Sequence, residues 1–208
     1  MDYDRIIGVY CFLMEDIRRR TEMIQHLVAN PLPQFFDGQA FFEFCLLNLR
    51  MVCEQIALGC LVAHGDIRTQ KMYQTWEPDK IIKGLARLRP TFYPRPVAEW
   101  ADVVALRLRP TQPPSPDYLT KEKLLKLYGF CGSNLHQGSM EKLLSQRTTT
   151  IEATTIIVDW HNRILALLNH HRMSLPGDIE FHVDMTSANG KPTGTMFLKP
   201  TAPTGKRS

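Results

Sequence analysis

Polar side chains form a stripe along the otherwise apolar segment 36–64. Four residues fall within about 60° of one another when placed at 100° per residue around a helix: Gln39, Glu43, Arg50 and Glu54. Arg50 and Glu54 are also four residues apart, the spacing at which opposite charges pair on a helix. Because burying an unpaired charge costs several kcal/mol, the stripe must pair internally or face a cleft. It therefore predicts either a structural ion pair that fixes the helix register or a polar pocket that binds a small ligand.

A second polar stripe lies in the segment 150–172. Its members share one sector of a helix and are Glu152, Asp159, Arg163 and His170. Arginine binds a phosphodiester through its planar guanidinium, and histidine transfers protons near neutral pH, as a metal-independent ribonuclease requires. Arg163 and His170, two turns apart on this face, are therefore one candidate catalytic pair. The structural alternative is a solvated helix face with an ion pair between Asp159 and Arg163.

The segment Cys131–Gly138 carries polar side chains between glycines, which predicts a helix end followed by a tight turn. Asn134 and His136 would then present polar groups on a constrained backbone. Cys131 and His136 lack an orienting acid nearby in the sequence, which disfavours a cysteine nucleophile. The sequence contains no spacing typical of zinc ligands, no glycine-rich phosphate loop and no dinucleotide fingerprint. We therefore expect neither a metal nor a cofactor.

Residues 68–110 combine basic and aromatic side chains. The segment holds nine Lys and Arg against four Asp and Glu, interleaved with five aromatic residues. This composition is typical of a nucleic-acid-binding surface. It is equally typical of a loop-rich cap whose aromatic side chains pack inward, so the segment leaves nucleic-acid binding open.

Apolar periodicity predicts a mainly α fold that positions these residues. A helix is expected over 2–29, where apolar residues recur at three-to-four spacing until Asn30-Pro31. The segment 36–64 is apolar on nearly every side, so it should be the central helix of a helical bundle. Further helices are predicted as two short segments within 67–89, a short helix over 98–108, a helix that begins at Thr120 and ends near Gly132, and a helix over 150–172.

The C-terminal part of the chain changes from helical to alternating patterning. Residues 179–185 alternate apolar and polar side chains, and a turn at 187–190 precedes a return strand at 195–198. The whole pattern predicts a helical bundle domain over 1–177, a small C-terminal β-hairpin over 178–200 and a flexible basic tail over 201–208. Because an isolated hairpin is marginally stable in water, this one should pack on the bundle or pair with a second chain. We expect it to contribute to dimerisation.

Composition excludes several classes of protein. The chain has 208 residues, 44% of them hydrophobic, and a formal net charge of +4, which excludes wholesale disorder and does not require an anionic partner. No uninterrupted apolar run of about 18 residues occurs, so we expect no membrane span. The N-terminus opens with two aspartates in place of a basic stretch, which disfavours a secretory signal. Three of the five cysteines lie in one apolar segment, which indicates buried free thiols in a reducing cytoplasm.

Two segments of the chain carry motifs with a family resemblance. Phe44–Ala57 carries a Leu-Arg-x-x-x-Glu-x-Ile-Ala pattern that is similar to the central helix of the HEPN-like superfamily. Gly132–His136 resembles a degenerate form of the Arg-x4–6-His region of the superfamily. A Phe-Tyr-Pro stretch at 92–94 and a Tyr-Leu-Thr helix start at 118–120 extend the resemblance to an uncharacterised bacterial branch. The resemblance covers roughly residues 36–140.

This resemblance implies a bundle of four to five helices, often dimeric, in bacterial defence or toxin–antitoxin systems. Active members of the superfamily are metal-independent ribonucleases that use the arginine and the histidine of the motif. In this chain no arginine stands four to six residues before His136, and Cys131 occupies that neighbourhood. The resemblance therefore predicts a non-catalytic interaction or regulatory protein that binds a protein or a nucleic acid, with RNA favoured over DNA.

Four binding residues are expected on this basis: Arg50, Glu54, Asn134 and His136. We expect a cytoplasmic homodimer that uses no cofactor and does not enter a membrane. The alternative is a metal-independent ribonuclease. In that case Arg50 or Arg163 would supply the cation that holds the phosphate, and the proton would be transferred by His136 or His170.

Overall fold

The computed structural model describes residues 2–30, 37–66, 70–97, 100–101, 109–110, 117–135, 150–187 and 189–198. Within these residues the fold is mainly α, with a small antiparallel sheet near the C-terminus, and this confirms the predicted fold class. His136 and the tail predicted over 201–208 lie outside the described residues.

Helices build the bundle, and aspartate side chains cap the first two. They are α1 (Tyr3–Ala29), α2 (Gly38–Ala63), α3 (Gln70–Tyr73), α4 (Pro78–Leu88), α5 (Lys121–Leu135) and α6 (Thr150–Leu168). Asp2 caps α1 by accepting the backbone N–H of Arg5 at 3.0 Å. Asp37 caps α2 in the same way, by accepting the N–H of Ala40 at 2.7 Å. The first two predicted helices are confirmed to within two residues at each end.

α2 is the central helix of the bundle. Fifteen of its 26 residues are buried, and it packs against α1, α4, α5 and α6. Among the described residues α2 is the one helix long and apolar enough to cross a membrane, yet 67% of its apolar window is buried inside the protein. Such burial is typical of the core helix of a soluble protein. The central position predicted for the segment 36–64 is confirmed.

The cysteines of α2 lie in this core as free thiols. Cys45, Cys53 and Cys60 are fully buried. Burial raises the pKa of the Cys45 thiol to about 12, and burial raises the pKa of the other two thiols as well. Cys131 on α5 is also buried, which raises its pKa to about 12. Thiols held protonated in this way act as small core residues and are poor nucleophiles.

A four-stranded antiparallel sheet accompanies the helices. The strands among the described residues are β1 (Arg95–Pro96), β2 (Trp100–Ala101), β3 (Arg109–Pro110), β4 (His170–Leu175), β5 (Ile179–Asp184) and β6 (Thr193–Leu198). The order in the larger sheet is β1-β4-β5-β6, and β2 pairs with β3 separately. Gly177 and Asp178, with φ of 69° and 55°, form the turn between β4 and β5. The predicted hairpin is present as β5 and β6, and β1 and β4 extend it.

The hairpin packs directly on α1. The Phe181 ring of β5 meets the Tyr10 ring edge-on, with centroids 5.1 Å apart. A Cβ on Gly194 of β6 would lie 2.8 Å from Phe181 and 3.2 Å from Ile7, so glycine is what allows β6 to approach this closely. The expectation that the hairpin packs on the bundle holds, and its part in dimerisation stays a prediction.

The last helix ends earlier than predicted. α6 stops at Leu168, and the residues from His170 onward form β4. Side chains from His170 to Leu175 alternate between the buried and the opposite face of the sheet, and they pair in register with β5. This pairing supplies the backbone hydrogen bonds that a continued helix would have supplied.

Two other boundaries also differ from the prediction. α5 continues through Gly132 to Leu135, and Gly132 inside this helix leaves room for the side chain of Arg50. The helix predicted over 98–108 is wrong at its described residues, since 100–101 pair as a strand with 109–110. The segment 91–97, predicted to be extended, contains the extended strand β1, but it begins in a turn that the Phe92 N–H closes onto the Arg89 carbonyl.

Candidate functional site

The side chain of Arg50 extends from α2 toward α5, and two other side chains contact its guanidinium. Its Nε lies 3.5 Å from Glu54 Oε1, and its Nη2 donates to the Tyr128 hydroxyl at 2.6 Å. The guanidinium carbon is 4.1 Å from the centroid of the Tyr128 ring, which is a cation–π distance. The side chains of Arg50 and Glu54 are 25% and 15% exposed. The predicted i,i+4 pair is therefore present and largely buried, and Tyr128 is a partner that sequence spacing does not indicate.

Gly132 makes room for this guanidinium on α5. A Cβ at that position would lie 2.7 Å from Arg50 Nη1, so a larger residue would displace the arginine. Burial raises the pKa of the Glu54 carboxyl, and Arg50 and a hydrogen bond from Tyr128 oppose that rise. The guanidinium, the carboxyl and the phenol thus form a cluster in which charges and hydrogen-bonding groups pair with one another. We call Arg50, Glu54, Tyr128 and Gly132 the Arg50 cluster.

The other residues predicted for this site bond elsewhere. Asn134 Nδ2 donates at 2.8 Å to a backbone carbonyl one turn earlier in α5. At the start of α2, Gln39 Nε2 donates to Glu43 Oε1 at 2.6 Å. His136 lies outside the described residues. The polar stripe of α2 is thus paired internally, which favours the structural interpretation over a ligand pocket.

Arg163 on α6 is engaged by two carboxylates. Its Nε donates to Asp159 Oδ2 at 3.0 Å, and its Nη1 donates to Asp117 Oδ1 at 2.7 Å. The ion pair predicted between Asp159 and Arg163 is confirmed. The hydrogen bond from Arg163 to Asp159 is the main cause of a raised guanidinium pKa. Both acids would compete with a phosphate for this cation.

His170 does not share a helical face with Arg163, and that part of the prediction is wrong. The helix ends at Leu168, so the helical projection that aligned the two residues does not reach position 170. The His170 ring lies on β4, where Nδ1 is 3.3 Å from Asp184 Oδ1. Its Nε2 is 3.1 Å from the Thr186 hydroxyl. The two candidate groups therefore belong to different elements and different hydrogen-bond systems.

The sheet carries a polar face that helical projection misses. Every second side chain of β4 and β5 points to this face, so that three cross-strand pairs form there: His170 with Asp184, Arg172 with His182, and Ser174 with Glu180. We call these six residues, together with Arg95 of β1 and Thr195 of β6, the polar sheet face. The sequence does carry a signal for it, because HHRMSL and IEFHVD both place polar residues at period two.

Several groups of the polar sheet face bond to one another. Ser174 Oγ donates to Glu180 Oε1 at 2.8 Å. His182 is 4% exposed, and the Phe197 ring lies 4.5 Å from its ring centroid. Burial lowers the pKa of His182 to about 4, an effect that Glu180 opposes and Arg172 reinforces. The His182 imidazole is therefore neutral at neutral pH.

Tyr10 and His171 join α1 to β4 inside the core. His171 Nδ1 lies 2.8 Å from the Leu168 carbonyl and must donate to it, so Nε2 accepts from the Tyr10 hydroxyl at 2.8 Å. Burial lowers the pKa of His171 to about 4. A neutral histidine with both ring nitrogens bonded in the interior holds elements together and offers no proton to a substrate.

The outer face of α1 carries side chains with alternating four- and three-residue spacing. We call these residues the outer row: Arg5, Val9, Phe12, Asp16, Arg19, Met23 and His26. The spacing keeps all seven on one side of the helix, opposite its buried residues, and Asp16 lies at the edge of this side, where its carboxylate also accepts from Gln55 of α2. Phe12 is 68% exposed, Met23 is 43% exposed and Val9 is 42% exposed. These three exposed apolar side chains share one helix face, which makes the outer row a candidate interaction surface.

The described residues contain no group of three or more His, Cys, Asp or Glu side chains that could hold a metal ion. Comparisons with protein-family models, with curated proteins and with solved structures found no match for this chain. The resemblance to HEPN-like proteins therefore rests on Phe44–Ala57 and Gly132–His136 and stays a prediction. What this chain does must be inferred from its own contacts and surfaces.

Proposed function

We propose that this chain is a non-catalytic helical interaction protein that binds its partner through the outer row of α1. The observation that carries the proposal is the 68% exposure of Phe12, on the same helix face as Met23 and Val9. A helix that only covers a core places polar residues on its outer face. Three of the seven positions in the outer row are apolar, and its four-three spacing is the one along which two helices can pack together.

A second copy of this chain is the partner that the outer row fits. In an antiparallel pair of α1 helices, contact between Phe12 of one copy and Met23 of the other also places Asp16 opposite Arg19, because both pairs share one midpoint on the helix. Val9 then faces His26. In both halves of the pair, the Phe12 ring then faces the Met23 thioether and the Asp16 carboxylate faces the Arg19 guanidinium. Arg19 is 58% exposed and already pairs with Asp16 of its own helix at 3.0 Å, so in the dimer the ion pairs of the two copies would lie next to each other.

The state of the candidate cations supports a non-catalytic role. Arg50 is held by Glu54 and Tyr128, and Arg163 by Asp159 and a second acid. Binding a scissile phosphate would require these bonds to be exchanged, and each charge-assisted hydrogen bond is worth about 1.5–3 kcal/mol. In this proposal the chain acts as a HEPN-like regulator in the bacterial cytoplasm, in a defence or toxin–antitoxin setting, as the resemblance of Phe44–Ala57 implies.

Sedimentation velocity of the full chain tests the proposal. The wild type should form a dimer whose population rises with concentration, since one helix per copy makes a small interface. Phe12→Lys should shift the protein to monomer, because the new ammonium would face the apolar Met23 of the second copy. The same lysine can pair with Asp16 one turn later in its own helix, so α1 should stay intact.

Ile151→Lys is the matched control. Ile151 is 81% exposed on α6, so the substitution makes the same chemical change outside the outer row. It should leave the dimer unchanged. A wild type that stays monomeric up to about 100 μM, or equal effects of Phe12→Lys and Ile151→Lys, would refute the proposed interface.

A further inference from the structure

Two exposed arginines lie directly opposite each other on the polar sheet face. The register of β1 and β4 pairs Arg95 with Arg172, and both residues are exposed. The hydrogen bond from the Val97 N–H to the His170 carbonyl, at 2.8 Å, fixes this register. Directly opposite residues of an antiparallel pair have Cβ atoms about 4.5–5.5 Å apart on the same face. Both guanidinium groups can therefore reach one ligand.

The described residues around the two arginines do not neutralise their positive charges. Neither Arg95 nor Arg172 forms an ion pair or a side-chain hydrogen bond with any residue that the structure describes. The carboxylates of the same face already have partners, since Asp184 contacts His170 and Glu180 accepts from a serine. Like charges placed directly opposite each other weaken a sheet. An anion between the two guanidinium groups would convert this repulsion into attraction.

The row that crosses the sheet at this point contains no acid among its described residues. From β1 to β6 these residues are Arg95, Arg172, His182 and Thr195, which are joined by the register of the four strands. His182 is neutral at neutral pH because burial lowers its pKa. The row thus presents two cations followed by two uncharged polar groups. This arrangement leaves the cationic end open to an anionic ligand.

We propose that Arg95 and Arg172 form a binding site for a phosphoryl group. Each guanidinium offers a planar fork of N–H donors, and a phosphoryl group has enough oxygens and charge to accept from both forks at once. A carboxylate has two oxygens and is satisfied by a single fork. The phosphoryl group comes either from a free phosphate or mononucleotide or from the backbone of a single-stranded RNA. The site is separate from the outer row of α1, so it stands or falls independently of the interface proposed there.

Binding measurements on the full chain test this site. The variants are Arg95→Gln, Arg172→Gln and the double variant, and Arg87→Gln on α4 is the control, because Arg87 is also an exposed arginine. The probes are inorganic phosphate, a 5′-mononucleotide, and a labelled single-stranded RNA of about 10 nucleotides without terminal phosphates. Calorimetry serves for the small probes and fluorescence anisotropy for the RNA. Circular dichroism confirms that each variant is folded.

Each single substitution should weaken binding of at least one probe by about tenfold, since a charge-assisted hydrogen bond is worth at least that factor. Arg87→Gln should change binding by no more than about twofold. Tight binding of phosphate or the mononucleotide identifies a free ligand. Binding of RNA alone identifies the backbone, and the double variant should then flatten the salt dependence by about 0.7 in the log–log slope for each phosphate that it no longer binds.

Two results would overturn the proposal. One is that no probe binds the wild type at low salt, even at about 10 mM for the small probes. The other is that the double variant binds every probe as well as Arg87→Gln does. If a glutamine variant does not fold, backbone amide chemical shifts of the wild type during a phosphate titration decide the matter. Shifts centred on residues 95 and 172 support the site, and their absence refutes it.

Discussion

Replacing Gly132 with alanine tests how Arg50 is held between α2 and α5. The added Cβ would lie 2.7 Å from Arg50 Nη1, about 0.7 Å closer than ordinary van der Waals contact. The atom it meets is the end of a flexible side chain, so Arg50 must move while α5 keeps its place. The displaced guanidinium gives up its 2.6 Å hydrogen bond to the Tyr128 hydroxyl and its position over the ring.

Three contributions set the magnitude of the effect. The hydrogen bond from the charged guanidinium is worth about 1.5–3 kcal/mol. The pair with Glu54 is partly exposed, so breaking it adds about 0–1 kcal/mol. Alanine inside a helix is favoured over glycine by about 0.5–1 kcal/mol, which offsets part of this cost. Gly132→Ala should therefore lower the free energy of unfolding by about 0.5–3.5 kcal/mol.

Urea denaturation of four variants checks this reasoning. Gly129→Ala is the control on the same helix, because a Cβ at Gly129 meets nothing within 4 Å, and it should stabilise the protein by about 0.5–1 kcal/mol. In an Arg50→Ala background the clash is absent, so Gly132→Ala should also stabilise. The sign of the Gly132 effect thus depends on Arg50. The reasoning is refuted if Gly132→Ala stabilises the wild type as much as Gly129→Ala does.

The remaining predictions concern the buried histidines, the sheet and RNA cleavage. Tyr10→Phe leaves the buried Nε2 acceptor of His171 unpaired and should cost about 1–3 kcal/mol in urea titrations, and an unchanged midpoint would contradict that assignment. Thermal melting should show that the contribution of three buried histidines to stability is complete above about pH 6.5 and is lost as the pH falls toward 4. Burial lowers the pKa of these histidines to about 4, whereas the unfolded chain takes up protons from about pH 6.5 downward. A melting temperature that stays constant over that range would contradict this prediction. The three are His64, His171 and His182. Arg172→Gln should raise stability by about 0.2–1 kcal/mol in phosphate-free buffer of low salt, by removing like-charge repulsion, and a drop in melting temperature would argue against an uncompensated pair. The double variant Arg50→Ala with His136→Ala should leave any cleavage of a defined RNA unchanged, whereas loss of cleavage in a folded preparation would favour the ribonuclease alternative.

α2 illustrates what the sequence pattern can determine. Its segment is apolar on nearly every side, and such a helix is stable in water only when other elements surround it. The ion pair of Arg50 with Glu54 follows from the i,i+4 geometry of any helix. The third member of the cluster, Tyr128, is 78 residues further along the chain, and no local spacing brings it to Arg50. The contact depends on how α5 packs on α2, which only the folded structure gives.

β4 illustrates what a local pattern cannot determine. The apolar positions of α6 run up to Leu168, and the six residues of β4 are too few for period-two alternation to outweigh the helical pattern before them. The strand is stabilised by pairing with β5 and with β1, and the partner in β1 is more than 70 residues earlier in the chain. Because the predicted position of His170 depended on the helix continuing, the error in one boundary also misplaced a candidate catalytic residue.

Buried histidine side chains in this fold join helices to other segments, so they are not available to bind a ligand. His64 Nε2 donates to the Phe92 carbonyl at 2.9 Å, and its Nδ1 accepts from Arg89, so α2 is tied to the segment that leads into β1. His161 lies 3.2 Å from the Thr21 carbonyl and ties α6 to α1. Histidines used in this way contribute to the fold whatever the protein binds. The apolar side chains of the outer row and the arginine pair on the sheet are exposed instead, so substitutions there can alter binding while the fold is kept.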